Sequence, residues 1–262
     1  MIRYSVLIPE RDNGQAVAEQ ISDLQSVMRR LVLPYEIICI DDGSADLHLS
    51  PLKQLLDQPG VRILRFDRPA GLSAALSAGV AAARGEIVIT IESGIRYQAG
   101  QIPDLISRLS RGDLVIGRRL RGRLAKGCER VTRLPRWLLL GLDAKDPDCL
   151  FWAARHEAVA NLDLARGMFR YVPTLVAMRG YRVHELVVDA TGRGCNLSDA
   201  RPNPLDLLAV WWLKRRRQPH PVRELTLENL RHPPLRLVES ESRSSETVPP
   251  VTEEHALRRE SA

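Results

Sequence analysis

Tyr35-Glu36-Ile37-Ile38-Cys39-Ile40-Asp41-Asp42-Gly43-Ser44 is the stretch from which the rest of the chain can be read. Its first six residues form a short, largely apolar run of the kind that makes a buried strand. The run stops in two carboxylates and an Asp-Gly-Ser turn. Ligands of an open α/β sheet bind outside the carboxyl ends of its strands, and Asp41 and Asp42 fall at that edge, where a carboxylate can accept hydrogen bonds from a base or a ribose. The same three residues also make a good turn and helix start by themselves. From this stretch alone both roles stand.

Working outward, short runs rich in Val, Ile and Leu alternate with longer segments of helical period. This is the pattern of βαβ units and a largely parallel sheet, so the fold class is α/β. Strands are predicted at Tyr4–Ile8, Tyr35–Ile40, Val61–Phe66, Glu86–Ile91 and Asp113–Ile116, with further strands at Cys149–Ala153 and Arg182–Asp189. Helices are predicted at Gln15–Leu31, Leu47–Leu56, Leu72–Ala83, Ile102–Ser110 and Met168–Met178. Val17, Ile21, Leu24, Val27 and Leu31 recur at three- and four-residue steps and give the first helix a core face. Leu72–Ala83, made mainly of Ala, Ser and Gly, suits close approach to a sheet or to a ligand.

A chain of 262 residues with 44% apolar content supplies one large core. Cys39, Cys128, Cys149 and Cys195 form no CxxC pair, which argues against a zinc site or a disulfide framework and suits a reducing compartment. Met1 to Pro9 reads as an immediate strand rather than a leader. The apolar run Leu205–Leu213 is far shorter than the roughly 20 residues of a membrane span. Residues 1–217 carry 32 Lys+Arg against 24 Asp+Glu, so the basic surplus lies before the tail. Much of it is concentrated in Gly117–Arg136, where eight cations face the single acid Glu129, a segment that attracts phosphates.

Ser5-Val6-Leu7-Ile8-Pro9, followed by Glu36-Ile37-Ile38-Cys39-Ile40-Asp41-Asp42-Gly43-Ser44, resembles the opening of the family 2 glycosyltransferases. The resemblance continues through Ala70–Gly79, Ala83–Val88, Gly112–Arg119 and Asp146–Phe151, and spans residues 3 to about 190. It is nearest to the polyprenyl-phosphate sugar transferases. It implies a GT-A fold over residues 1–217, with a nucleotide-sugar half (1–117) and an acceptor half (118–217). It also implies that Pro9, Glu10, Asp41, Asp42 and Gly43 line the nucleotide, with Asp12 as an alternative to Glu10. The implied chemistry is an inverting displacement at an anomeric carbon, from a GDP- or UDP-linked hexose to a polyprenyl phosphate.

The chain departs from the family at the end of the fourth strand. Relatives carry Asp-x-Asp there to hold Mg²⁺ or Mn²⁺ against the diphosphate. Here the residues are Glu92-Ser93-Gly94, so Glu92 is the one candidate metal ligand and Gly94 offers none. Arg96 follows, and a guanidinium can neutralise diphosphate oxygens without a metal. Glu92, Arg96 and Asp146 are therefore the catalytic candidates, and Arg118, Arg119 and Arg193 the candidates for donor or acceptor phosphate. Asp189 stands on the acceptor side, where it would repel a phosphate. The alternative is a nucleotide-binding relative that has lost transfer.

Trp211 and Trp212 stand beside Lys214-Arg215-Arg216-Arg217 in an amphipathic segment, 204–217. Aromatic rings next to cations suit an anionic membrane surface, and a helix packed on the domain accounts for the same residues. The chain is thus read as cytoplasmic and peripheral to the inner face of a membrane. Residues 218–262 are rich in Pro, Ser, Glu and Arg and are read as a largely disordered tail. A nucleic-acid partner is not expected, because Trp137 is the one aromatic beside the basic segment. A dinucleotide oxidoreductase is disfavoured by the absence of G-x-G-x-x-G after the first strand.

Overall fold

Seven strands lie in the order β3-β2-β1-β4-β7-β6-β8 in the computed structural model, which describes residues 2–45, 50–98, 101–119, 138, 140, 146, 148–162, 164–192 and 204–216. All of these belong to the unit Met1–Pro219; the unit His220–Ala262 lies outside the described residues. The strands are β1 (Tyr4–Glu10), β2 (Tyr35–Asp41), β3 (Val61–Arg65), β4 (Ile87–Thr90), β6 (Leu114–Arg119), β7 (Trp152–Arg155) and β8 (Val183–Val188). A small second sheet pairs β5 (Ile95–Tyr97) with β9 (Ala190–Gly192), antiparallel. Only β7 runs against the main sheet, antiparallel to both β4 and β6. Its leading loop, 146–151, therefore reaches the edge where the parallel strands end.

The helices are α1 (Gly14–Arg30), α2 (Ser50–Lys53), α3 (Leu72–Ala82), α4 (Gln101–Arg108), α5 (His156–Val159), α6 (Val172–Met178) and α7 (Pro204–Arg216), with a 3₁₀ turn at Met168–Tyr171. Strand alternation sends Val6, Ile8, Ile37, Cys39, Ile89, Val115 and Phe151 to one face, where they pack with Val17, Ile21 and Met28 of α1 and Leu105 of α4. Leu7, Ile38, Ile40, Val88, Leu114, Ile116 and Trp152 face the other way, onto α3, α5 and α6. The Ala/Ser/Gly composition of α3 acts in packing: a Cβ on Gly79 would lie 3.0 Å from Ile40 Cδ1 and 3.1 Å from Leu7 Cδ1. A side chain at this position would require the Ile40 and Leu7 tips to give by a few tenths of an ångström.

Several boundaries differ from the sequence reading for identifiable reasons. β1 continues through Pro9 to Glu10, since the ladder bond Asp42 N to Glu10 O needs no amide from Pro9. The short strand predicted at Cys149–Ala153 forms later, at Trp152–Arg155, where its pairing with β4 and β6 begins. Local pattern carries no information about that cross-strand register. The Met168–Met178 helix is broken by Pro173 into a 3₁₀ turn and α6. The pair β5 and β9, with Tyr97 opposite Ala190 across 93 positions of chain, has no local signature at all.

Candidate functional site

The C-terminal edge of the sheet gathers carboxylates from β1, β2 and the loop after β4. Glu10 and Asp41 end neighbouring strands in register and both are wholly buried. Ser44 links them: its Oγ donates to Glu10 Oε1 at 3.3 Å, and its amide donates to Asp41 Oδ1 at 2.8 Å. Asn13 N donates to Glu10 Oε2 at 3.1 Å. Asp41 Oδ2 lies 3.3 Å from Arg65 Nε without a well-directed hydrogen bond. Burial first, and then the neighbouring Asp41, push the Glu10 carboxyl up to about 7 against the pull of its hydrogen bonds from Asn13 and Ser44. Glu10 therefore keeps its proton into the neutral range.

Asp42 has a different occupation from its neighbour. Its Oδ1 accepts the amides of Ala70 (2.7 Å) and Gly71 (3.0 Å), and its Oδ2 accepts Gly71 again at 3.0 Å. The side chain thus fastens the turn after β2 to the N-terminus of α3. Gly43, at φ +70°, completes this junction, because a Cβ there would meet Arg68 C and Pro69 N at 2.8 Å. Of the two aspartates that the sequence offers to a nucleotide, Asp41 is the one with an oxygen lacking a hydrogen bond, and Asp42 is the structural one. Asp12, at φ 54°, accepts Ala45 N and closes the same loops.

A second cluster lies at the ends of β4 and β6. Arg119, the last residue of β6, is gripped by Asp146 through Nε (2.8 Å to Oδ2) and Nη2 (3.2 Å to Oδ1), and its Nη1 lies 3.4 Å from Glu92 Oε2. Asp146 is buried, and the Arg119 side chain is 18% exposed. Burial works against the charged guanidinium, but the hydrogen bonds and charge of Asp146 outweigh it, so Arg119 is held more firmly protonated than in water. Tyr97 closes the floor, stacked on Phe151 with ring centroids 4.0 Å apart. Burial pushes the neighbouring Cys149 thiol up to about 12, which keeps it neutral. Asp146 thus pairs with Arg119, 27 residues away in the chain.

Arg96 does not join this group. Its side chain is 66% exposed and its polar contacts among the described residues are with Glu19 of α1, at 3.0 Å. The pairing of β5 with β9 fixes this direction, and the guanidinium that meets Glu92 is that of Arg119. Arg118 precedes Arg119 by one residue, and alternation along β6 directs it to the opposite face. Asp189 accepts a hydrogen bond from Gln98 Nε2 at 3.3 Å. Arg193 and the basic residues from 120 to 136 lie outside the described residues.

A largely parallel sheet with acidic groups at its C-terminal edge is the arrangement expected from the resemblance, and the sequence pattern of Glycosyl transferase family 2 matches residues 5–160. The chain belongs to glycosyl transferase family 2. This family 2 chain is 25% identical over 232 residues to the dodecaprenyl-phosphate galacturonate synthase of Rhizobium johnstonii, covering 82% of the chain and 68% of that protein. It is 28% identical over 176 residues to the dolichol-phosphate mannosyltransferase of Pyrococcus furiosus, covering 62% and 49%. The chain thus spans about half to two thirds of the length of these curated relatives. Its fold is that of glucosyl-3-phosphoglycerate synthase from Mycobacterium tuberculosis, solved with Mg²⁺ and UDP, at a TM-score of 0.58 and 19% identity over 81% of this chain and 79% of that one.

The residues of this family 2 member do not fit the divalent ion seen in that structure. A hard cation needs several oxygen ligands. Both oxygens of Asp146 are engaged by a guanidinium, Glu92 leans on the same group, and Gly94 brings no side chain. Among the described residues no three His, Cys, Asp or Glu side chains form a group that could hold a metal. No helix among them is long and apolar enough to cross a membrane.

Proposed function

We propose that this chain transfers a hexose from a UDP- or GDP-linked sugar to a polyprenyl phosphate, with inversion at the anomeric carbon. The observation that carries the reading is the Arg119 guanidinium, oriented by Asp146 and Glu92 at the same sheet edge as Asp41. The polyprenyl-phosphate names of the relatives support the acceptor class. Residues 1–117 form the nucleotide-sugar half and 118–217 the acceptor half, ahead of a tail from 218.

In this reading Asp41 accepts from the base or ribose, while Pro9, Glu10 and Gly43 wall the pocket and Asp42 holds its shape. An acceptor phosphate oxygen, already ionised, attacks the anomeric carbon and forms the new C–O bond. The bond to the diphosphate oxygen breaks, and its electron pair leaves with the nucleoside diphosphate. Little general-base help is needed, so the protein's main task is to stabilise the leaving group. A planar guanidinium matches two diphosphate oxygens at once. One guanidinium against two carboxylates leaves the cluster with one net negative charge, so further cations are required. Those cations are sought in the basic segment up to Arg136, which the sequence places next in the chain after Arg119. Arg119 thus takes the part that a divalent ion plays elsewhere.

A polyprenyl phosphate lies in a bilayer, so the domain works at a membrane surface, on the cytoplasmic side where nucleotide-sugars are found. The test is a transfer assay with a panel of UDP- and GDP-sugars and detergent-dispersed polyprenyl phosphate. Formation of a sugar-phosphate-lipid is the expected result. Nucleotide binding without transfer to any polyprenyl phosphate would refute the reading in favour of a non-catalytic relative.

A further inference from the structure

Two glutamines are buried on α1, Gln20 at 8% and Gln25 at 9% exposure, and they reach in different directions. Gln25 Nε2 donates to Gln58 Oε1 at 3.1 Å, ahead of β3. Gln20 reaches toward the functional edge. Its Nε2 donates to Glu92 O at 3.1 Å and to Ile95 O at 2.9 Å, while its Oε1 has no hydrogen bond. Turning the amide round would set its oxygen against two carbonyl oxygens, so the donors must point this way. A buried amide is costly where its hydrogen bonds are not made. Gln20 is thus committed to these two carbonyls.

Glu92 and Ile95 are the first and last residues of one tight turn. Ile95 N donates back to Glu92 O at 3.3 Å, and Gly94, at φ +78°, takes the third place, as in a type II turn. Gln20 therefore grips this turn at both ends from α1. From the same turn the Glu92 side chain reaches Arg119 Nη1, at 3.4 Å. Asp146 holds the Nε and Nη2 edge of that guanidinium from the loop before β7. The guanidinium is set from two sides, and Gln20 anchors one of them.

We infer that Gln20 is a positioning residue for the diphosphate, holding the Glu92–Ile95 turn so that Glu92 sets the direction of Arg119. The inference rests on the proposed role of Arg119 toward a nucleoside diphosphate. Gln20 acts through the turn and not on the nucleotide. Without its two hydrogen bonds the Asp146 contacts remain, so Arg119 keeps its charge at the site but loses its aim. Bidentate recognition by a planar group depends on aim, and a misplacement on the order of 1 Å can cost as much as about 100-fold. Asp41 ends a different strand and takes no part in this linkage. The loss is therefore confined to the diphosphate and spares the base and ribose.

The test is calorimetry of the whole chain with UDP, GDP and the corresponding monophosphates. Gln20→Met, unbranched like glutamine but without donors, should lower the diphosphate affinity about tenfold and leave the monophosphate affinity within error. Gln20→Glu, which sets an oxygen against the two carbonyls, should do at least as much. Gln25→Met is the control for lost stability on the same helix, and it should keep the wild-type ratio of diphosphate to monophosphate affinity. An unchanged ratio in Gln20→Met, an equal fall for both nucleotides, or the same fall in Gln25→Met would overturn the inference. A crystal structure of nucleotide-free Gln20→Met gives a check that needs no ligand. Glu92 should move away from Arg119 while both Asp146 contacts persist; an unmoved Glu92 would overturn the inference by itself. A wild-type protein that binds neither UDP nor GDP would refute the proposed function and this inference together, whereas wild-type binding with an unchanged ratio in the variant removes Gln20 alone.

Discussion

The two edges of the main sheet hold buried carboxylates in opposite conditions. At the N-terminal edge, Glu36 Oε1 accepts Ser5 Oγ and Arg84 N, each at 2.7 Å, and its Oε2 accepts Arg62 Nη1 at 2.7 Å. Ser5 Oγ in turn accepts Gly85 N at 2.8 Å. Burial raises the Glu36 pKa, but Ser5, Arg62 and the Arg84 amide more than offset it, so the group stays below its ordinary range. At the C-terminal edge, Glu10 is pushed up and Asp41 Oδ2 lacks a hydrogen bond. Of five buried polar atoms without hydrogen bonds among the described residues, Asp41 Oδ2, Ser93 Oγ, Tyr97 Oη and Gln20 Oε1 cluster at or beside this edge. One edge satisfies its buried carboxylate fully; the other keeps buried polar atoms without hydrogen bonds among the described residues.

The largest expected effect comes from breaking the functional edge. Arg119→Ala should lower transfer and nucleotide affinity by two orders of magnitude or more. It should also destabilise the fold by about 3 kcal/mol, because Asp146 is left buried without its cation. Calorimetry and denaturant unfolding read the two losses separately, and unchanged nucleotide affinity would remove Arg119 from the site.

Glu36→Ala is the matching change at the other edge. Loss of three hydrogen bonds to a buried carboxylate should cost about 2–3 kcal/mol in urea unfolding. Nucleotide affinity should stay within error; a tenfold fall would mean that the edges are coupled. The wild-type contribution is present above the ordinary pKa of 4.5 and is lost as pH falls through the depressed folded value.

Glu10 has the opposite sign. Its folded pKa of about 7 stands above the model-compound 4.5, so its contribution is full below 4.5 and is lost as pH rises through 7. Glu10→Gln, which cannot ionise, should therefore exceed the wild type in stability above pH 7 by on the order of 2 kcal/mol and match it in acid. Melting curves across that window decide; parallel profiles for the two proteins would mean that Glu10 is ordinarily ionised.

Smaller changes are expected from the metal and from Arg96. Replacing Mn²⁺ by EDTA should alter UDP or GDP affinity less than about threefold, because Arg119 already occupies the carboxylates; a loss beyond tenfold would restore a metal to the site. Arg96→Ala breaks only an exposed pair with Glu19. It should change stability by less than about 1 kcal/mol and leave nucleotide affinity unaltered, whereas a marked fall would return Arg96 to the diphosphate.

Much of this was legible because it is local. The buried run from Tyr35 to Ile40, the Asp-Gly-Ser turn and the three-four spacing of Val17, Ile21 and Leu24 declare strand, turn and helix within a few residues. Family membership follows from several such segments in order. The direction of a side chain at the site was not legible. Arg96 and Arg119 look alike as cations after strands, and so do Trp211 and Trp212 as neighbours on one helix.

The sequence by itself determined the α/β pattern, the carboxylates at the strand ends and the loss of Asp-x-Asp at Gly94, since each is a matter of residue type and short-range period. Only the tertiary structure decided that Asp41 and not Asp42 keeps an oxygen without a hydrogen bond, that Arg119 and not Arg96 meets Glu92, and that Trp211 and not Trp212 packs with Tyr171, Leu175 and Val210. Each of these choices depends on pairing between segments distant in the chain: β2 with the start of α3, β6 with the loop before β7, and α7 with α6. Such pairings are set by the packing of the whole core, which no local window contains.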